Sequence, residues 1–101
     1  MAKKVTSSKM PQAQFINDAH VLGQLIKAKR TAMGMKLADC AALCNVGINT
    51  LSRIENGNEN CTLAATFAVL QELGIKLTSP SLSPNSIEKR SNSNVSSDEW
   101  V

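Results

Sequence analysis

Apolar residues recur at helical spacing along four stretches of this chain, and residues that start or stop helices bound each stretch. Val21, Leu22, Leu25, Ile26, Ala32 and Met33 predict a first helix over 18–33, opened by Asn17 or Asp18 as N-cap and ended by Gly34. Lys27 and Lys29 fall outside its apolar face. A shorter stripe of Leu37, Cys40, Ala41 and Cys44 predicts a helix over 37–44. Asn45 stands where the chain must reverse, and Asn is the commonest residue besides Gly to accept a left-handed backbone. Val46 anchors that turn, and the next helix runs over 47–56 with the methyl of Thr50, Leu51 and Ile54 turned inward. Ile48, Asn49, Ser52 and Arg53 are left facing out, and Gly57 closes the unit. Thr62 opens a last helix over 63–73, with Leu63, Phe67, Leu70 and Leu73 on one face and Gly74 as its stop.

After Gly74 the period changes. Ile75-Lys-Leu-Thr78 alternates apolar and polar, as a short strand does. One strand has no partner within the chain, so pairing with its copy in a second subunit is the simplest way to satisfy its backbone groups. Three regions follow from composition: a basic, flexible arm over 1–16, a folded domain over 17–78, and a tail over 79–101. The arm holds Lys3, Lys4 and Lys9, with no acidic residue before Asp18. The tail is so rich in serine that it cannot bury enough surface to fold by itself.

The middle pair of helices carries the chemistry. Two short helices joined by a tight turn, with the small Ala41 at their closest approach and a polar outer face on the second, present a helix end to the DNA major groove. A net charge of +3 in 101 residues is compatible with such a ligand. A domain this small is marginally stable alone, so dimerisation would support the fold as well as the function. No apolar run approaches the ~20 residues of a membrane span and no signal peptide is visible, so the expected place is a bacterial cytoplasm, on the nucleoid. The three cysteines read as reduced thiols, with Cys40 and Cys44 buried on the second predicted helix. Cys40 and Cys44 lack a second ligand pair nearby and His20 is the sole histidine, so neither a metal nor a cofactor is expected, and no catalytic constellation is legible.

The residues Ala41, Val46, Leu51, Ser52, Ile54, Glu55, Asn56 and Gly57 resemble the helix-turn-helix of the Cro/C1 (Xre) repressor family, in register from about Leu22 to Gly74. That resemblance implies an all-α, five-helix, lambda-repressor-like DNA-binding domain, with a further short helix near Leu63 and one C-terminal β-strand paired across a dimer. The run 60–78 and the polar tail closing on Asp98-Glu-Trp-Val101 are most similar to the Hip-type (HipB-like) antitoxins. Those are dimeric repressors of their own operon that also restrain a HipA-like Ser/Thr kinase toxin. The implied partners are thus a palindromic double-stranded operator, a second copy of the chain, and a kinase toxin.

Site residues follow from both lines. On the outward face, Asn49 can bond an adenine edge, Arg53 a guanine edge or a phosphate, and Ile48 a thymine methyl; Ser52 lies beside them, and Gly47 starts the helix. Lys36 opens the preceding helix and is a natural phosphate contact. The resemblance gives Asn56 a backbone-phosphate role, and pairs Arg30 with Glu55 as a structural tie between first and reading helices. Phe67, Leu70, Ile75 and Leu77 are the expected dimer contacts, and Trp100, the chain's only tryptophan, the expected toxin contact. Leu37 stands where the family has a phosphate-gripping Gln, and Gly47 where it has a capping Ser or Thr. The expected operator affinity is therefore modest. A solitary phage-like or restriction-control regulator, or an interaction module that no longer binds an operator, are the alternatives.

Overall fold

The computed structural model describes residues 5–82. Four helices follow one another: α1 (Ala19–Ala32), α2 (Leu37–Cys44), α3 (Ile48–Glu55) and α4 (Leu63–Glu72). Side chains cap two of them at the start. Asp18 accepts from the amide of Val21 at 2.9 Å, and Thr62 Oγ1 accepts from the amide of Ala65 at 3.1 Å.

All four helices end in the same way, with a left-handed residue: Gly34, Asn45, Gly57 and Gly74, at φ 75°, 59°, 79° and 72°. In each, the next amide folds back to the carbonyl five residues before it: Met35 to Arg30, Val46 to Ala41, Asn58 to Arg53 and Ile75 to Leu70. This Schellman geometry satisfies the last helical carbonyls and turns the chain sharply enough to stack the next helix. Asn45 is the only non-glycine residue with positive φ among the described residues.

Ile26, Cys40, Ala41, Cys44, Leu51, Ile54, Val69, Leu70 and Leu73 form one buried cluster, with each helix contributing. α1 packs on α3, and α2 packs on both α3 and α4. The expected inward faces of α1 and α4 need correction. Ala32 and Met33 are exposed; Gly23 and Ala28 are buried in their place. Leu63 is 73% exposed and Phe67 47% exposed, because α4 turns Val69, Leu70 and Leu73 toward the core. Leu70, expected at a dimer contact, is 1% exposed within this chain's own core.

One further expectation is corrected, and another does not show within a single chain. The domain has four helices among the described residues, not five, since α4 starts directly at Leu63 after the loop. Residues 75–78 form no strand among the described residues. The amide of Ile75 is engaged in closing α4, and among the described residues 76–78 make no backbone ladder bond.

Cys40 and Cys44 lie one helical turn apart with sulfurs at 3.9 Å, both buried. Burial, reinforced by the neighbouring Cys40 sulfur, pushes the Cys44 thiol from its ordinary 9.0 up to about 12; burial raises Cys40 as well. The folded chain therefore holds a proton that the unfolded chain releases near pH 9. Stability contributed by the neutral thiol is complete below about pH 9 and is lost as pH rises toward about 12. Denaturant midpoints are expected to fall between pH 8 and 10.5, and to fall less steeply in Cys44→Ala. At neutral pH a thiol reagent should modify half-exposed Cys61 before either buried cysteine.

Candidate nucleic-acid interface

α3 is short and strongly two-sided. Leu51, Ile54 and Glu55 are buried, whereas Ile48, Asn49 and Arg53 are exposed and Ser52 is half-exposed. The outward face starts at the helix N-terminus, where Gly47 provides no capping side chain. The first amides of α3 are therefore open donors. Lys36 opens α2 in the same uncapped way and is exposed. Asn56, also exposed, follows α3, its side-chain amide 3.5 Å from Ser52 Oγ.

The orientation of α3 is fixed from below by α1. Arg30 donates from Nε to Glu55 Oε2 at 2.6 Å and from Nη2 to Glu55 Oε1 at 2.9 Å. Its Nη1 donates to the carbonyl of Met35 at 2.7 Å. Both side chains are buried, so this two-bond fork is shielded from water and holds one geometry. The carboxylate at the C-terminal end of α3 opposes the helix dipole, and the guanidinium offsets that cost. Arg30 thereby ties the residue before Lys36 to the residue before Asn56.

A second constraint was missed by sequence reasoning. Gly23, midway along α1, lies under the end of α3: a Cβ there would stand 2.4 Å from the carbonyl oxygen of Ile54 and 2.7 Å from that of Glu55. One helical turn nearer the N-terminus, Gly57 packs on His20, with its would-be Cβ 2.9 Å from the His20 Cα. A glycine inside an otherwise good helical pattern was the available signal, since it marks a close backbone approach.

The remaining expected residues fall elsewhere. Phe67 and Leu77 are exposed, and Ile75 packs half-buried against the core. Leu77 borders a groove of about 750 Å³ between residues 14–17 and 76–80, whose opposite wall carries exposed Phe15 and Ile16. Trp100 lies outside the described residues. Among the described residues no group of three His, Cys, Asp or Glu side chains is placed to hold a metal, and no helix is long and apolar enough to cross a membrane.

The helix-turn-helix family profile matches residues 26–79, more than half of the 101-residue chain. The chain belongs to the helix-turn-helix family, in its Cro/C1 type. No curated protein matches it. Among solved structures, this helix-turn-helix protein is similar to HipB in several complexes. In a HipA–HipB–O2–O3 complex the identity is 27%, over 70% of this chain and 100% of the other, with a TM-score of 0.62. A HipB variant with an O2 20mer gives 28% identity over 71% of this chain and 100% of the other, and a TM-score of 0.62. A HipB–O4 20mer complex gives 27% identity over 70% and 100%, with a TM-score of 0.61.

Proposed function

We propose that this helix-turn-helix protein is a homodimeric operator-binding repressor and the antitoxin of a HipA-like Ser/Thr kinase, acting in the bacterial cytoplasm and regulating its own operon. The observation that carries the reading is α3 itself: a rigidly backed helix whose exposed face holds Ile48, Asn49 and Arg53, with Ser52 beside them. Likeness to HipB in complexes with 20mers and with HipA supports the choice of partners.

In this reading the α3 N-terminus enters the major groove. Asn49 bonds an adenine edge, Arg53 a guanine edge, and Ile48 packs on a thymine methyl. Lys36, Ser52 and Asn56 hold backbone phosphates, aided by the open amides of α2 and α3. Gly47 is not demanded by the fold, because a Cβ there would meet only Thr50 Oγ1, at an ordinary 3.6 Å. The bare backbone instead leaves room for a phosphate to approach. Phe67, Ile75 and Leu77 meet their copies in a second subunit, where residues 75–78 pair as strands. That places two reading helices about one turn of duplex, ~34 Å, apart on a palindrome.

Fluorescence anisotropy with the duplex upstream of the gene tests this. Each of Asn49→Ala and Arg53→Ala is expected to weaken operator binding by roughly 5- to 150-fold per half-site, equivalent to ~1–3 kcal/mol per base contact, without lowering the thermal midpoint. Unchanged affinity in both variants would overturn the assignment of α3. Removing residues 98–101 is expected to weaken capture of the HipA-like kinase and leave operator affinity intact. Equal loss of both would overturn the docking role of Trp100, and absence of any such kinase beside the gene would make the protein a solitary regulator.

A further inference from the structure

The basic segment before α1 is fastened to the domain. The amide of Ser8 donates to Thr31 Oγ1 at 2.8 Å, and that hydroxyl donates in turn to the carbonyl of Lys27, also at 2.8 Å. Thr31 lies near the C-terminal end of α1, about 18 Å along the axis from Ala19. The N-cap Asp18 lies ten positions after Ser8, enough for about 33 Å of extended chain. The segment therefore runs back alongside α1, antiparallel to it, with slack to spare. Val5, Ser8 and Pro11 are half-buried, while Thr6, Ser7, Lys9, Met10 and Gln12 are exposed.

The place of attachment matters. Thr31 follows Arg30, whose guanidinium is bonded to the Met35 carbonyl and to Glu55, the residues just before Lys36 and Asn56. The clasp thus fixes the segment at the end of α1 that leads, through Met35, into Lys36, a position assigned to phosphate contact. Lys9 is exposed next to the clasp. No carboxylate precedes Asp18 to neutralise it.

We propose that the Ser8–Thr31 clasp is part of the DNA-binding apparatus: it aims Lys9 at a backbone phosphate flanking each half-site. Thr31 is a positioning residue and Lys9 a phosphate contact. The inference rests on the operator-binding reading above, and adds contacts that α3 does not supply.

The test is the salt dependence of operator binding by the full-length protein on a duplex extending beyond the half-sites. Lys9→Gln removes one contact per subunit, so the slope of log affinity against log salt is expected to become shallower by about 1.8 per dimer. Between 50 and 200 mM salt, the unaltered protein should then lose about tenfold more affinity than the variant. Thr31→Val keeps the shape but removes the hydroxyl, and is expected to flatten the slope although every lysine remains. Thr31→Ser should restore it, which a purely structural role for Thr31 would not require. Unchanged slopes in both Lys9→Gln and Thr31→Val would overturn the proposal and leave operator binding standing. A change in Lys9→Gln alone, with folded Thr31→Val behaving like the unaltered protein, would overturn the clasp. If Thr31→Val fails to fold, Ser8→Pro, which removes the donating amide, takes its place, and an unchanged slope there would overturn the clasp. Failure of the unaltered protein to bind DNA at any salt would overturn both readings.

Discussion

Glu55→Leu is expected to destabilise the domain by about 3–5 kcal/mol, because it strands the buried Arg30 cation with only the Met35 carbonyl for company. Domains of this kind hold only ~5–15 kcal/mol in total, so the loss takes a large share of it and should lower the thermal midpoint sharply. Urea denaturation followed by circular dichroism measures the effect directly. A midpoint within error of the unaltered protein would show that the fork does not tie α1 to α3. Replacing both partners, Arg30→Met with Glu55→Leu, should recover most of the loss, since two packed apolar chains remove the desolvation cost along with the attraction. Operator affinity of that folded double variant then separates the two roles of the pair. If it binds as tightly as the unaltered chain, the fork contributes stability and nothing to the aim of α3.

Gly23→Ala is the second large effect expected. In most helices the change favours folding by about 1 kcal/mol, through the propensity difference between the two residues. Here the added methyl would sit 2.4 Å and 2.7 Å from two carbonyl oxygens of α3. Both obstacles are backbone and cannot rotate aside, so α1 must lift away from α3 and strain the Arg30–Glu55 fork with it. A net loss of about 1–3 kcal/mol is expected from overpacking of this kind. Gly34→Ala is the informative comparison. It meets nothing within 4 Å, and its cost comes only from a φ of 75°, about 1–2 kcal/mol. A stabilised Gly23→Ala in urea titration would mean that the close approach of the two helices does not exist.

Much of the helical framework was legible because its signals are local. Asp18 and Thr62 cap through bonds to amides three residues on, and Gly34, Gly57 and Gly74 stop helices through their own φ. Asn45 was recognised as the reversal for the same reason, since its short polar side chain tolerates the left-handed region. The outward set on α3 was equally legible: a helix with so few apolar residues has only one way to face.

The face of α4 was not legible. Leu63, Phe67, Val69, Leu70 and Leu73 offer more than one apolar stripe, and the partner surface on α2 and α3 chose between them. No neighbouring residue shows why position 23 must be glycine, because the atoms that require it belong to residues more than thirty positions away. Residues 75–78 alternate as a strand should, yet a ladder is a property of two chains. Ser8 and Thr31 carry no sequence signal for each other, being 23 residues apart.

The amino-acid order thus determined where helices begin, end and turn, because caps, stops and periodicity act within about one helical turn along the chain. Only the folded arrangement decided which faces were buried, where two backbones touch at Gly23, and how the basic segment lies beside α1. Those outcomes depend on shape-matching between residues distant in sequence, which no local pattern encodes.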